Sequence, residues 1–177
     1  MTRPHPFVAA AAIAVAMAAS ACSPTFDWRE FSVQGTELGV AFPCRPDRHV
    51  REVRLGERRL SMQMLVCAAG GSTFAVSFVD VPDPAALAAV MTDLRAAAIG
   101  NVRGQRPTTV PFQLKGMQAS AQAVRVSVEG RLPDGAKVAE HAVWFARGLR
   151  VYQATVIGAA PGAAEVEAFL AGLKFPA

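Results

Sequence analysis

The feature that most constrains the fold is an alternation of apolar and polar residues in the middle of the chain. In RLSMQMLVC (residues 59–67), leucine, methionine and valine occupy every second position. TFAVSFVDV (residues 73–81) repeats the pattern with phenylalanine and valine. Successive side chains of a strand point to opposite faces, so this spacing predicts antiparallel strands with one face covered by the rest of the protein.

Two segments have the period of a helix instead. In DPAALAAVMTDLRAAAIG (residues 83–100), Asp83 is placed to cap a helix, Pro84 fits its first position and a glycine ends it. PGAAEVEAFLAGLKF (residues 161–175) carries a second apolar stripe at helical spacing. Strands, helix, strands and helix in this order predict an α+β fold, a mainly antiparallel sheet covered by helices, in a single domain over residues 31–177.

The chain has three cysteines, and a short turn predicts which two of them meet. Gly56 and Glu57 lie between two strand-like runs, and the paired residues of such a hairpin have numbers that add to 113. Cys44 and Cys67 add to 111, which places them within two residues of facing each other. A disulfide between them would close a loop of about 24 residues and stabilise the fold by ~3 kcal/mol in the chain-entropy treatment. Two buried free thiols are the alternative.

The remaining cysteine, Cys22, lies at the end of an N-terminal segment that has the layout of a secretion signal. A basic start is followed by an apolar run over residues 7–18, which is shorter than the ~20 residues of a membrane-spanning helix. The run leads into Ala19-Ser20-Ala21-Cys22, which resembles the lipobox of bacterial lipoproteins. The same letters contain an A-x-A site for ordinary signal cleavage, which is the alternative.

The lipobox resemblance implies that residues 1–21 are removed as a signal peptide and that Cys22 becomes a lipidated N-terminus. Its thiol would carry a diacylglyceryl group and its amine a further acyl chain such as palmitate, and two or more chains anchor a protein stably. Ser23, in place of aspartate, implies sorting to the outer membrane, with the domain facing the periplasm on a short tether (residues 22–30). Ordinary cleavage would leave a soluble periplasmic protein.

Basic residues are concentrated in CRPDRHVREVRLGERRL (residues 44–60). One interpretation is contact with an anionic surface, such as lipid head groups or lipopolysaccharide phosphates. The other is that these charges keep a solvated strand pair soluble and protect a sheet edge. The chain has a net charge of +4, of which the mature part keeps +3 once Arg3 is removed, and this mild charge indicates no nucleic-acid partner. The candidate contact residues are Arg48, Arg51, Arg54, Arg58 and Arg59.

Residues that carry chemistry are few in the mature chain. His49 and His141 have no partners at the spacing of a metal site, so the sequence indicates no metal and no cofactor. Gly70 and Gly71 are too few to cradle a phosphate, and no nucleophile motif is present. We therefore assign no catalytic residue. Trp144 is assigned either to packing under a helix or to an exposed partner surface.

Several segments together are similar to a known family. They are FSVQGTELGVAFPCRP (residues 31–46), GGSTFAVSFVDVP (residues 70–82), RVYQATVIG (residues 150–158) and FLAGLKF (residues 169–175). In this order they resemble bacterial members of the PsbP/Mog1-like superfamily. The resemblance implies an α/β/α sandwich and an accessory or binding role, often beside a membrane complex. The matching motifs are structural, so no functional residue is carried over.

These observations lead to one expected function and one alternative. The expected function is that of a non-enzymatic envelope lipoprotein, an accessory or binding module that acts on a periplasmic protein or a membrane partner. The alternative is a periplasmic hydrolase or small-ligand carrier. A hydrolase would need a pocket in which His141, a serine and a carboxylate come within hydrogen-bond reach.

Overall fold

The computed structural model describes residues 25–176, so the predicted signal peptide and Cys22 lie outside the described residues. Within them the chain forms nine strands, two α-helices and one 3-10 turn. In chain order these are β1 (Arg29–Ser32), β2 (Gly39–Phe42), β3 (Asp47–Leu55), β4 (Arg58–Ala69), β5 (Ser72–Asp80), the 3-10 turn (Pro84–Ala86), α1 (Leu87–Asn101), β6 (Gln105–Pro111), β7 (Val124–Arg131), β8 (Lys137–Arg147), β9 (Arg150–Gly158) and α2 (Ala163–Ala171).

Seven of the strands form one antiparallel sheet in the order β3-β4-β5-β9-β8-β7-β6, and β1 pairs with β2 as a separate two-stranded sheet. Within the large sheet, strands that follow one another in the chain are hydrogen-bonded neighbours, except for β5 and β6, which α1 connects. This order puts β3 and β6 at the two edges. No helix in residues 25–176 combines the length and the hydropathy that crossing a membrane requires.

The hairpin formed by β3 and β4 has the predicted turn and register. Arg51 faces Met62 and Asp47 faces Val66, so the numbers of paired residues add to 113. Gly56, in the turn, has a φ of 58°, a left-handed conformation that glycine adopts without strain. The alternating apolar residues of β4 share one face of the strand, as predicted, and Leu60 and Met62 among them are in the core under α1.

Cys44 and Cys67 lie at disulfide distance, in agreement with the predicted bond. Their sulfur atoms are 2.15 Å apart and their Cα atoms 6.0 Å apart. Cys44 follows the end of β2, whereas Cys67 lies in β4 and faces Phe74 of β5. The bond thus ties the small sheet to the large one.

One face of the large sheet packs against α1. Asp83 caps the preceding 3-10 turn as predicted, since its Oδ1 accepts a hydrogen bond from the N–H of Ala85 at 2.9 Å. The apolar stripe of α1, which includes Val90 and Leu94, is buried over β8 and β9. Trp144 is 1% exposed in this layer, so its assignment to packing under a helix is confirmed.

The opposite face is covered by β1, β2 and α2 together. Phe169 of α2 is fully buried, and its ring centroid lies 5.4 Å from those of both Phe42 in β2 and Phe74 in β5. Two backbone hydrogen bonds of 2.8 and 2.9 Å join Gly39 of β2 to Lys174, just beyond α2. The second core is therefore built from two short strands and one helix packed on the sheet.

The predicted α+β fold, an antiparallel sheet covered by helices as an α/β/α sandwich, is wrong. The structure is mostly antiparallel sheet, 49% strand and 18% helix, and is a β-rich fold. The physical reason is that the helices are too short to cover both faces of the sheet. Strands ~4.8 Å apart make a seven-stranded sheet about 29 Å wide, whereas the nine residues of α2 give a helix about 14 Å long. Strands β1 and β2 cover one face of the large sheet together with α2. Part of the opposite face, against which α1 packs, stays open.

Candidate functional site

The open part of the sheet forms a groove beside α1. Helix α1 packs mainly over β8 and β9 and also contacts β3, so that part of the face of β3, β4 and β5 lies beside it. The groove has a volume of about 520 Å³, within the range of small-molecule sites. Its apolar lining includes Met62, Met64 and Val66 of β4 together with Leu94 and Ala98 of α1.

Polar side chains of β5 and β9 form part of the groove floor. Ser77 and Thr155 are buried polar residues that line it. Gln153 lies on β9, the strand between β5 and β8. Its Oε1 accepts a hydrogen bond of 3.1 Å from Nε1 of Trp144, and its Nε2 donates one of 2.9 Å to Oγ1 of Thr155. The amide of Gln153 is thus held in one orientation, and it links the groove to the indole of Trp144.

Two arginines of the edge strand β3 border the groove. Arg51 and Arg54 are exposed, and they are the only charged residues among those that line it. Within residues 25–176 neither forms an ion pair with a carboxylate. Arg51 faces Met62 and so lies on the groove face of β3, whereas Arg54 faces Arg59 on the other face and borders the groove at its rim. The groove therefore combines an apolar lining with positive charge along one side.

The other predicted arginine contacts lie outside the groove. Arg58 and Arg59 are exposed at the start of β4, and Arg48 is exposed on β3, where its guanidinium donates a hydrogen bond to Oε1 of Gln34. All five arginines are thus on the hairpin at the sheet edge, but only two border the groove. Both interpretations of this hairpin, anion contact and edge protection, stay predictions.

His141 lies on β8 beside Ser127 of β7, with the Ser127 Oγ 2.9 Å from the His141 Nδ1. Arg125 and Glu167 are close by and form an ion pair of 2.5 Å. Burial lowers the pKa of His141, and the positive charge of Arg125 lowers it further. The imidazole is therefore neutral near neutral pH. No group of three or more metal-ligating side chains occurs in residues 25–176, here or elsewhere.

The Ser127–His141 pair lacks the surroundings that acyl transfer needs. Ser127 sits in the middle of β7, facing Thr108 of β6 on one side and His141 of β8 on the other. Backbone N–H groups on an internal strand are used by the sheet, so they are not free to stabilise an oxyanion. The pair also lines none of the depressions described in this section. Its geometry fits a half-buried polar contact between strands.

Glu140 is a buried carboxyl on the α1 face of β8, where it is 5% exposed. It faces Val128 of β7 and Ile157 of β9, both apolar. Burial raises the pKa of Glu140 to about 7. Since Ile157 also lines the groove, Glu140 lies one strand beyond it. The sequence analysis did not single out this residue.

A second depression, of about 530 Å³, lies where β5 ends and β9 begins. Arg150 makes a bidentate ion pair with Asp80, at 2.7 and 3.0 Å, and Arg147 pairs with Glu37 at 2.8 Å. Each guanidinium therefore has a carboxylate of this chain as its partner. Because the charges are compensated internally, we assign this depression to structure rather than to binding.

Two aromatic residues of the predicted tether pack on the domain. The rings of Phe26 and Trp28 lie 6.4 and 6.0 Å from that of Phe74, edge to face. Phe26 also fills the space beside Gly70 in the turn between β4 and β5, where a Cβ would overlap its ring. The chain is thus fixed to this end of the sheet from Phe26 onward.

The sequence analysis missed the groove, although part of its signal was present. In RVYQATVIG, Gln153 and Thr155 occupy inward positions of a strand that alternates with buried Tyr152 and Ala154. Polar residues at inward positions indicate either a buried hydrogen-bond network or a cavity. What the sequence does not reveal is which strands α1 crosses, and that decides where the sheet stays open.

No protein-family model matches the chain, and no curated protein matches it significantly. A functional conclusion therefore has to come from the residues and geometry of this chain.

Proposed function

We propose that this protein is a non-enzymatic envelope lipoprotein whose domain binds a partner or ligand in the groove beside α1. The observation that carries this proposal is the open sheet face, an apolar groove with Arg51 and Arg54 as its only charged lining. A sheet face that serves only the core would be covered by packing. An exposed apolar sheet face bordered by unpaired arginines is typical of a binding site, whereas the depression of similar volume between β5 and β9 has its arginines paired with carboxylates.

The membrane anchor is supported by the arrangement of the cysteines. Cys44 and Cys67 lie at disulfide distance, so Cys22 is the remaining one of the three cysteines. An unpaired thiol is uncommon in an exported protein, and acylation of Cys22 accounts for it. We place the protein at the outer membrane with its domain in the periplasm; a soluble periplasmic form is the alternative.

A hydrolase is the second candidate, and the Ser127–His141 hydrogen bond is the observation in its favour. We prefer a binding role because both residues lie in the middle of hydrogen-bonded strands, without free backbone donors beside them. The ligand-carrier form of the alternative is compatible with the groove and needs no catalytic residue.

Purified mature protein should carry fatty acyl chains on Cys22. We expect intact-mass measurement of the membrane-extracted protein to show a diacylglyceryl group and an additional acyl chain on an N-terminal cysteine, with about three chains giving stable membrane association. A Cys22→Ala chain should lose the added mass, incorporate no labelled palmitate and leave the membrane fraction. A mature terminus with an unmodified thiol would contradict the anchor.

A photoreactive residue in the groove should capture whatever the domain binds in cells. Ala97 and Ala96 are adjacent exposed alanines of α1, but only Ala97 lines the groove. We expect p-benzoylphenylalanine at position 97 to give a cross-linked adduct on illumination and the same residue at position 96 to give none. Absence of an adduct from position 97, or equal adducts from both positions, would contradict binding in the groove.

A further inference from the structure

We infer that the groove binds an acyl chain that carries an anionic head group, with the chain along β4 and the head group at Arg51, the arginine on the groove face of β3, while Arg54 adds positive charge at the rim. This inference rests on the proposed function, since it names the class of ligand for the same groove. It follows from three properties of the lining: its apolar character, the sign of its charge and the state of its backbone.

The lining fits a flexible hydrocarbon chain. Met62, Met64 and Val66 follow one another along the same face of β4, and Leu94 and Ala98 of α1 form the facing wall. Met64 and Val66 are half-buried, so their side chains still have apolar surface to cover. Methionine side chains adapt to irregular partners, and each methylene buried contributes ~0.8 kcal/mol. A chain of methylenes lying along β4 would cover this surface.

The charge of the groove selects an anionic head group. Arg51 and Arg54 are the only charged residues that line the groove, and no carboxylate lines it to neutralise them. Guanidinium groups match carboxylates and phosphates with paired hydrogen bonds. The contrast is with Arg147 and Arg150, which are already paired to Glu37 and Asp80. A cationic or neutral amphiphile would leave the guanidinium groups without a partner.

The backbone of the groove disfavours an extended peptide. A peptide that adds to a sheet gains its affinity from unpaired main-chain groups. Strands β4, β5 and β9, which form the floor, each lie between two hydrogen-bonded neighbours. Their N–H and C=O groups are therefore used within the sheet. Among the strands that line the groove, only β3 keeps unpaired main-chain groups, along its outer edge at the rim, so recognition on the groove floor comes from side chains, as it does for a lipid.

The test is titration of the mature chain (residues 22–177) with Cys22→Ala, which has neither the signal peptide nor acyl chains of its own, with single-chain amphiphiles below their micelle concentrations. Dodecanoate and dodecyltrimethylammonium share one chain and differ in head-group charge, and acetate has the head group without the chain. We expect dodecanoate to bind, the cationic amphiphile to bind about tenfold more weakly, and acetate to show no binding. Calorimetry gives the affinities. In a Trp28→Phe background, fluorescence of Trp144 reports the groove, because its indole is hydrogen-bonded to Gln153.

Charge reversal on the hairpin supplies a matched pair of variants. Arg51→Glu/Arg54→Glu should remove the preference for dodecanoate over the cationic amphiphile. Arg45→Glu/Arg48→Glu makes the same charge change at the start of the hairpin, outside the groove and facing neither Arg51 nor Arg54, and should keep that preference. Equal loss in both variants would overturn the inference, because it would show a diffuse charge effect. Equal binding of both amphiphiles to the unmutated groove would also overturn it, whether or not the variants fold.

The two proposals fail in different ways. Failure of dodecanoate to bind, together with an adduct from p-benzoylphenylalanine at Ala97, would overturn the acyl ligand and leave the binding groove standing. Failure of both would overturn the groove as a site. Binding of dodecanoate that survives an Ala97→Trp substitution, which fills the groove, would place the lipid elsewhere and also overturn the inference.

Discussion

Replacing Phe169 by alanine should lower the free energy of unfolding by about 4 kcal/mol, the cost typical of removing a large aromatic side chain from a core. Phe169 is fully buried, and it packs on Phe42 of the small sheet and Phe74 of the large one. Urea unfolding with the disulfide intact measures the effect.

Glu167 is the matched control on the same helix. Its side chain is exposed and pairs with Arg125 on the large sheet. Because a surface ion pair contributes little, we expect Glu167→Ala to change the free energy of unfolding by less than ~1 kcal/mol. Comparable losses from the two substitutions would show that α2 is held by its ion pair as much as by its aromatic contact, contrary to the packing described here.

Replacing Glu140 by glutamine should raise the free energy of unfolding by about 3 kcal/mol near pH 8 and by less than ~0.5 kcal/mol near pH 4.5. Burial raises the pKa of this carboxyl to about 7 in the folded protein, from 4.5 for the ordinary group. The unfolded chain therefore releases its proton at lower pH than the folded chain does. The stability of the unsubstituted protein falls as the pH rises from the lower pKa to the higher one, then levels off.

The measurement compares the two proteins at each pH, so that other titrating groups cancel. His141 is one of these: burial lowers its pKa, which gives a stability change of opposite sign in both proteins. Glu129→Gln on the neighbouring strand β7 is the control, because Glu129 is exposed. A gain from Glu140→Gln that is equal at both pH values would assign the effect to packing of the amide and not to ionisation.

The strands could be predicted from the sequence because each carries its own signal. Alternation in residues 59–67 gave the two faces of β4, and the turn at Gly56 gave the register of the hairpin to the residue. Trp144 and Phe145 are neighbours on β8 and lie in separate cores, as the alternation of side chains along a strand requires. These are local properties, since period and turn chemistry are set by adjacent residues.

Coverage of the sheet could not be predicted in this way. The number of helices was correct, but the extent of sheet that α1 and α2 cover depends on where they cross it, and that is a tertiary property. The failure to predict the groove and the wrong prediction of an α/β/α sandwich have the same cause, because both depend on how much of the sheet the helices cover. Glu140 did carry a local signal, because it shares the inward face of β8 with Val138 and Ala142. Polar residues at inward strand positions therefore merit the same attention as apolar ones.

Phe26 rests against Gly70 at the tip of the turn between β4 and β5, and three residues separate it from Cys22. With Cys22 acylated, four residue steps hold this tip within about 14 Å of the lipid surface. This end of the sheet would then be the part of the domain held nearest to the membrane. Thr73 and Ile157, at the mouth of the groove, lie at that same end. A hydrophobic molecule that leaves the bilayer would meet this end of the groove first. It could then move along β4 without crossing bulk water.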